Sequence, residues 1–294
     1  MKTLTEKQLE KIILDTCYDA GRYVKERAFE DLETEWKKKD DPVTKLDREA
    51  EQIIRKAITK HTDATIYGEE YGQSRGKSGI TIYVDPIDGT KSFVKKEFFS
   101  STSIAAEING EIMFGCVYDF MRGIMYFANR EGAFITYNGK TSKLPMKEIP
   151  KLSKPAIYFR DSDDDEKDLS EEFDGPYNIR KQIGSIALTM AQLASGSYNG
   201  MILSPLKHVG THDIAAGYYI MKQAGVYITN YKLEPFDHKK PLEGIIALDK
   251  RVKKDAVEII KDNTDPQRIA QLEREREDSV LRAYAACEER RRYD

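Results

Sequence analysis

The sequence predicts a mixed α and β fold in two halves: an N-terminal α+β half on a mainly antiparallel sheet, and a C-terminal half of α/β character. Three observations predict it: helical spacing of apolar residues at the start, short period-two runs between Ala64 and Tyr137, and alternating helix and strand patterns from Ser185 onward. The chain divides accordingly into residues 1–150, residues 151–262 and a charged, helix-prone tail at 263–294.

In the first segment Leu9, Ile12, Ile13, Cys17, Ala20 and Val24 recur at helical spacing, with Glu10, Lys11, Asp15, Asp19 and Lys25 on the other face. A polar, lysine-rich break at 36–42 precedes a second helical pattern, Ala50, Ile53, Ile54, Ala57 and Ile58, with Thr44 and Asp47 as its N-terminal caps. Two helices are therefore expected before any strand. The period then shortens to strand-like runs at 64–67, 80–84, 101–108, 112–118, 124–128 and 133–137. Between two of these runs stands Asn109-Gly110, a pair that tolerates the positive φ of a type I′ hairpin turn.

A possible strand at 156–159 leads into a dense acidic stretch at 161–168, read as a solvated excursion at the boundary between the halves. Helices at 185–194, 211–224 and 252–261 then alternate with strands at 198–203, 225–229 and 245–247. The tail carries only a thin apolar stripe among its arginines and acids, so a solvated helix is expected there.

Composition narrows the function classes. The 294 residues are 40% hydrophobic and 33% charged, which fits a globular protein rather than a disordered one. Forty-seven basic and 50 acidic residues leave a net charge of −3, with no global positive field to hold a nucleic acid polymer. No apolar run is long enough to cross a bilayer and Met1 to Glu10 lack a signal-peptide core, so a cytoplasmic protein without a membrane partner is expected. Cys17, Cys116 and Cys287 form no Cys-x-x-Cys pair and read as ordinary reduced thiols.

The chemistry concentrates in Asp85-Pro86-Ile87-Asp88-Gly89-Thr90-Lys91-Ser92-Phe93. An apolar run delivers the chain into two carboxylates three residues apart, and Pro86 and Gly89 impose a tight geometry that lets both face one point. Past Gly89, the amides of Gly89, Thr90 and Lys91 can point outward, as backbone does when it binds phosphate oxygens. Glu69-Glu70 closes the preceding strand, and Thr211-His212-Asp213-Ile214-Ala215-Ala216-Gly217 opens a helix with a carboxylate in its first turn.

In this order the elements resemble the inositol monophosphatase superfamily, Mg²⁺-dependent and lithium-sensitive phosphatases. Its fingerprint is an upstream Asp, a Glu-Glu pair, Asp-Pro-(Ile/Leu)-Asp-Gly-Thr-x-x-Phe and a late Trp-Asp-x-Ala-Ala-Gly. These read here as Asp47, Glu69-Glu70, Asp85 to Phe93 and His212 to Gly217, across roughly residues 5–260.

The resemblance implies a layered αβαβα fold, a homodimer, two or three Mg²⁺ ions and a small phosphorylated metabolite as substrate. It places Glu69, Asp85 and the Ile87 carbonyl on a first metal, and Asp85, Asp88 and Asp213 on a second. Hydrolysis follows by a metal-activated water that Glu69 and Thr90 orient, with Asp47 fixing the Thr90 hydroxyl and the amides of Gly89 and Thr90 holding phosphate. Glu70 is open between a role at a weaker third metal and a surface carboxylate, and Lys45 between phosphate binding and a plain surface lysine. His208 and His212 read as structural.

Gly184-Ser185-Ile186-Ala187 resembles the family's substrate-pocket turn, which puts Ser185 among the substrate residues. Two departures bear on substrate. His212 stands where the family has Trp, and Leu206 stands where inositol-selective members carry a hydroxyl-binding Glu. Lys91-Ser92-Phe93 is closer to histidinol-phosphate and 3′-phosphoadenosine 5′-phosphate phosphatases. A sugar phosphate or inositol phosphate remains the leading expectation, with a catalytically weak, partner-docking member as the alternative from another class.

Overall fold

The computed structural model describes residues 4–30, 32–38, 41–146, 154–160, 169–181, 184–204, 209–240 and 244–264. The acidic run at 161–168, Leu206, His208, Cys287 and the tail from 265 lie outside these described residues.

The chain opens with α1 (Glu6–Arg27), whose first turn is closed by a reciprocal cap: the Gln8 amide donates to Thr5 Oγ1 at 3.3 Å and the Thr5 amide to Gln8 Oε1 at 2.9 Å. β1 (Thr34–Lys38) and β2 (Asp41–Thr44) then pair antiparallel, with Glu35 opposite Val43 and Trp36 opposite Pro42. This corrects the expectation that two helices precede any strand. Both strands are short and charged, so their backbone pairing left no apolar alternation to read. α2 (Lys45–Thr59) follows directly.

The first sheet is built from β3 (Thr65–Gly68), β4 (Gly72–Ser74), β5 (Ile80–Asp88), β6 (Ser101–Ile108), β7 (Glu111–Asp119), β8 (Ile124–Asn129), β9 (Gly132–Tyr137) and β10 (Lys140–Lys143). A short helix, α3 (Thr90–Val94), lies between β5 and β6. The strand order is β10-β9-β8-β7-β6-β5-β3-β4, antiparallel throughout except where β3 runs parallel to β5. Asn109 and Gly110, at φ 52° and 90°, make the β6–β7 turn as their sequence expects. β4 and β10, unforeseen in the sequence, are exposed polar strands at the two edges.

The second sheet comprises β11 (Ala156–Arg160), β12 (Asn178–Lys181), β13 (Gly200–Leu203), β14 (Tyr227–Thr229) and β15 (Ile245–Leu248) in the order β12-β11-β13-β15-β14. β11 runs parallel to β12 and β13, while β15 is antiparallel to both its neighbours, so the sheet is mixed. A 3-10 turn at Leu169–Phe173 together with α4 (Ile186–Ser195), α5 (Thr211–Gln223) and α6 (Lys253–Thr264) completes the described elements.

Three apolar cores separate five layers. Ile13 and Cys17 of α1 and Ile54 of α2 pack with Ile82 and Val84 on one face of the first sheet. On the opposite face Tyr83, Ala105 and Val117 meet α4 and α5, which in turn cover Met201 and Ala247 of the second sheet. Ile157, Ile202 and Ile246 point the other way, toward Ala256 and Ile260 of α6. The alternation Ile82, Tyr83, Val84 is the strand pleat sending neighbours to opposite cores. The expected αβαβα layering is what these cores describe. Among the described residues no helix is long and apolar enough to cross a membrane.

The central layer sits tight on β7. A Cβ added at Gly115 would lie 2.8 Å from the Ala216 carbonyl oxygen of α5, so only glycine allows that approach. Gly115→Ala is expected to lower unfolding free energy by about 1–3 kcal/mol, because the helix backbone has to move away from a close-packed sheet. Urea denaturation checks this, and an unchanged midpoint would show that the contact yields freely.

Candidate active site

The site begins as an irregularity in β5. Asp85 pairs with Ser103 and Asp88 with Ser101, and between them the register shifts. Pro86 has no amide to give the ladder, so the strand bulges, and its carbonyl instead takes the Thr102 hydroxyl at 2.9 Å. Inside the bulge the Ile87 amide donates to Asp85 Oδ1 at 3.1 Å. The loss of strict alternation leaves Asp85 and Asp88 lining one cavity. Gly89 follows at φ 86°, and a Cβ there would come within 2.6 Å of the Ser185 amide.

Asp47, fully buried in the first turn of α2, fastens this segment from behind. Its Oδ2 accepts the Thr44 amide at 2.8 Å and the Thr44 hydroxyl at 2.6 Å, and its Oδ1 accepts the Thr90 hydroxyl at 3.0 Å. Thr90 Oγ1 also lies 2.9 Å from the Ile87 carbonyl. Burial pushes the Asp47 carboxyl up to about 6, against the hydrogen bonds from Thr44.

Four residues along the same helix, Glu51 is equally buried and holds the Glu69-Glu70 corner. It accepts the Glu70 amide at 2.7 Å and the Tyr71 amide at 3.3 Å, while Arg55 Nε donates to it at 2.7 Å. Its carboxylate fills the space where a Gly68 side chain would stand, 2.0 Å from an added Cβ.

Asp88 reaches the C-terminal half. It accepts the Ser185 hydroxyl, the Ala187 amide at 2.7 Å and the Ile186 amide at 3.3 Å, so a carboxylate from the first sheet supplies partners for the opening amides of α4. The Ser185 hydroxyl is further shared with Ser101 Oγ at 2.9 Å and accepts the Leu188 amide at 2.9 Å. From α5, Asp213 accepts the Gly210 amide through Oδ2, which lies 3.6 Å from His212 Nε2.

These carboxylates meet in a cavity of about 510 Å³ whose lining includes Glu69, Asp85, Asp88, Gly89, Thr90 and Asp213. Burial, then the charges of Glu69, Asp88 and Asp213, holds Asp85 well above the usual carboxylate range. Burial and the charge of Asp213 push Asp88 up to about 7, and burial also raises Asp213, with His212 opposing. Among the described residues no three acidic, histidine or cysteine side chains already stand as a closed metal centre. The donor set nevertheless fits a hard divalent cation: oxygen donors crowded until they raise one another's pKa are the ligands Mg²⁺ stabilises.

The sequence profile of the inositol monophosphatase family matches residues 5–265. The chain belongs to that family. Nus factor SuhB of Vibrio cholerae is 32% identical over 208 residues, covering 69% of this chain and 76% of that protein. Fructose-1,6-bisphosphatase of Pyrococcus furiosus is 32% identical over 191 residues, 63% of this chain and 69% of that one. In structure, the extragenic suppressor protein suhB of Bartonella henselae superposes with a TM-score of 0.76 at 23% identity, over 88% of this chain and 99% of that chain.

Of the residues that family resemblance singles out, Glu69, Asp85, Ile87, Asp88, Gly89, Thr90 and Asp213 border one cavity, with Asp47 behind Thr90. Ser185 adjoins them, its hydroxyl fully buried and turned to Asp88, Ser101 and the Leu188 amide, where it positions a carboxylate. Lys45 lies elsewhere: exposed, 3.3 Å from Glu33, in a separate smaller cleft. The Glu70 amide is held by Glu51, and Glu70 does not line the cavity. Sequence reasoning missed Glu51, although its spacing of four from Asp47 puts it on the same helix face. It also missed Lys95 and Arg160, which line the cavity with Lys91, a residue singled out in the sequence for its amide.

Two outcomes are expected. Glu51→Ala leaves the Arg55 guanidinium and the Glu70 amide without their buried acceptor, and should cost about 3 kcal/mol of unfolding free energy in urea. A change below about 0.5 kcal/mol, the level of an ordinary surface substitution, would show that the corner holds without it. The second concerns pH. Asp88 carries a folded pKa raised above its unfolded value, so its contribution is full below the unfolded pKa and is lost as pH rises through about 7. With divalent cations chelated, Tm should fall from about pH 5 to about pH 8, and Asp88→Asn should flatten that fall. An identical slope in the variant would assign the loss to other groups.

Proposed function

We propose that this chain is a Mg²⁺-dependent phosphate-monoester hydrolase, acting on a small phosphorylated metabolite of the inositol phosphate or sugar phosphate class. The observation that carries it is the meeting of Glu69, Asp85, Asp88 and Asp213 in one cavity beside a threonine hydroxyl fastened by a buried aspartate. Family membership supports a phosphatase in general terms. The donor set supports the metal.

Glu69, Asp85 and the Ile87 carbonyl would hold one Mg²⁺, and Asp85, Asp88 and Asp213 another. Bound there, the ions supply charge neutralisation on the phosphate and a lowered pKa for water. The chain's own groups do the orienting. Because the Thr90 hydroxyl hydrogen is committed to Asp47 or the Ile87 carbonyl, its oxygen has a lone pair to accept from a water. Glu69 accepts that water's other hydrogen, and the water's own lone pair then faces phosphorus. The amides of Gly89 and Thr90 hold the phosphate oxygens, so the attack is positioned without a covalent enzyme intermediate. Ser185 keeps Asp88 aimed by occupying its second oxygen.

A second reading, a catalytically weak member that docks a partner, is favoured by one observation: the relative from Vibrio cholerae carries the name Nus factor. A homodimer, a cytoplasmic location and lithium inhibition belong to the hydrolase reading.

The test is phosphate release in Mg²⁺, with and without lithium, from inositol 1-phosphate, histidinol phosphate, 3′-phosphoadenosine 5′-phosphate, fructose 1,6-bisphosphate and NADP. At least one ester should turn over and lithium should suppress it. Asp88→Asn and Asp213→Asn should each lose about 10³-fold in turnover, the loss of about 4 kcal/mol of transition-state charge stabilisation, while keeping the wild-type circular dichroism spectrum. A folded variant at near-normal rate overturns the hydrolase reading. Wild-type protein no faster than either variant on every ester favours the docking reading.

A further inference from the structure

Glu69 stands on a hairpin turn at the edge of the first sheet. Together with Glu70 and Tyr71 it joins β3 to β4, and Gly68 pairs with Gly72 where the two strands meet. β4 is short, lies at the sheet edge and is exposed at every position. The Glu69 amide donates to the Val84 carbonyl at 3.2 Å, which sets the residue beside the end of β5. A turn tied to so short and wet an edge is of the kind that opens locally, whereas a carboxylate shared with Asp85 by one cation has to stay in place.

Helix α2 supplies the missing support. Glu51 accepts the Glu70 amide through Oε2 at 2.7 Å and the Tyr71 amide through Oε1 at 3.3 Å. Arg55 Nε donates to Glu51 Oε1 at 2.7 Å, and the same guanidinium reaches past it to the Ser74 hydroxyl at 3.0 Å and to the Gly72 carbonyl. Gln52 Nε2 donates to the Tyr71 hydroxyl at 2.6 Å. Residues 70, 71, 72 and 74 are thus all held by side chains of one helix.

Glu51 is fully buried and the Arg55 side chain is 16% exposed. A buried ion pair adds little stability over apolar side chains of the same volume, so stability alone does not account for it. Its geometry does: a carboxylate offers two acceptors to two successive amides, and a planar guanidinium fork spans the carboxylate and the next strand together. One turn earlier on α2, Asp47 fastens Thr90. Glu69 and Thr90, the two groups assigned to the attacking water, therefore depend on one rigid helix.

We propose that Glu51 and Arg55 are positioning residues for the metal site: by clamping the Glu69 turn to α2 they hold Glu69 beside Asp85 and so set the affinity for Mg²⁺. This rests on the hydrolase reading of the site. Neither residue lines the cavity, so their effect passes through Glu69. Loss of a group that orients a metal ligand costs about ten- to a hundred-fold in metal affinity.

The experiment is calorimetric titration of the full chain with Mg²⁺ alone, for wild type, Glu51→Ala and Glu51→Gln, at a temperature where circular dichroism shows each one folded. In Glu51→Ala the Kd should rise about ten-fold or more. Glu51→Gln keeps the bulk of the side chain and one acceptor for the Glu70 amide, and should bind Mg²⁺ more tightly than the alanine variant. A role confined to stability would lower Tm and leave the Kd of the folded protein unchanged.

A folded alanine variant with the wild-type Kd overturns the proposal, as does a glutamine variant no tighter than the alanine one, which would assign the loss to charge. Should Glu51→Ala not fold, Arg55→Lys takes its place, because it keeps the charge beside Glu51 and loses the fork to Ser74 and Gly72. A Kd raised about ten-fold there upholds the clamp, and an unchanged Kd overturns it. Wild type that binds no Mg²⁺ is a failure of the hydrolase reading and removes the positioning role with it. Mg²⁺ bound alike by wild type and variants removes the positioning role alone.

Discussion

The carboxylate of Asp88 is the joint on which the site depends. It leaves the first sheet at the end of β5 and is taken up by the Ser185 hydroxyl and the amides of Ile186 and Ala187, where the second half begins its first helix. A helix start needs acceptors for its free amides, and here a residue ninety-seven positions earlier supplies one. The same side chain borders the cavity of the other carboxylates, so the geometry of the site and the seating of α4 against the end of β5 are one arrangement. Buried carboxylates crowd one another at a cost, and the surrounding amides and hydroxyls offset part of it.

The layers make that arrangement rigid. Because strand pleats send Ile82 and Val84 to one core and Tyr83 to the next, β5 is held from both faces up to the point where Pro86 interrupts its ladder. The irregular backbone therefore follows an anchored strand, which places Asp85 and Asp88 within narrow limits. On the other side α5 rides close enough on β7 that Gly115 must lack a side chain, and Asp213 at the start of α5 inherits that registration. Behind the site, α2 contributes Asp47 and Glu51 one turn apart, one fastening Thr90 and the other the strand end that carries Glu69.

Much of this was legible in the sequence. Helical spacing located α1, α2 and the later helices, period-two runs located the central strands, and Asn109-Gly110 marked a hairpin whose φ values agree with it. What escaped were β1, β2, β4, β10 and β12, short and largely polar strands whose outward faces leave no apolar alternation to read. In the site, Asp85 and Asp88 stood out by their spacing around Pro86, while Asp47, Glu69 and Asp213 were visible because their order resembles the family fingerprint. Lys45 shared that neighbourhood in sequence, yet its helix face turns it to Glu33.

The sequence by itself determined the longer helices and the central strands, the alternation that sorts side chains into cores, and the tight geometry at Pro86 and Gly89, because these follow from local periodicity and from backbone chemistry within a few residues. Only the tertiary structure decided what the site contains besides its carboxylates. Arg160 and Lys91 belong to different sheets' surroundings and are sixty-nine residues apart, and no local pattern relates them. That they line one cavity, and that Ser185 reaches Asp88, depends on how two sheets stack across a shared layer of helices, a relation set by packing that exists only once the chain has folded.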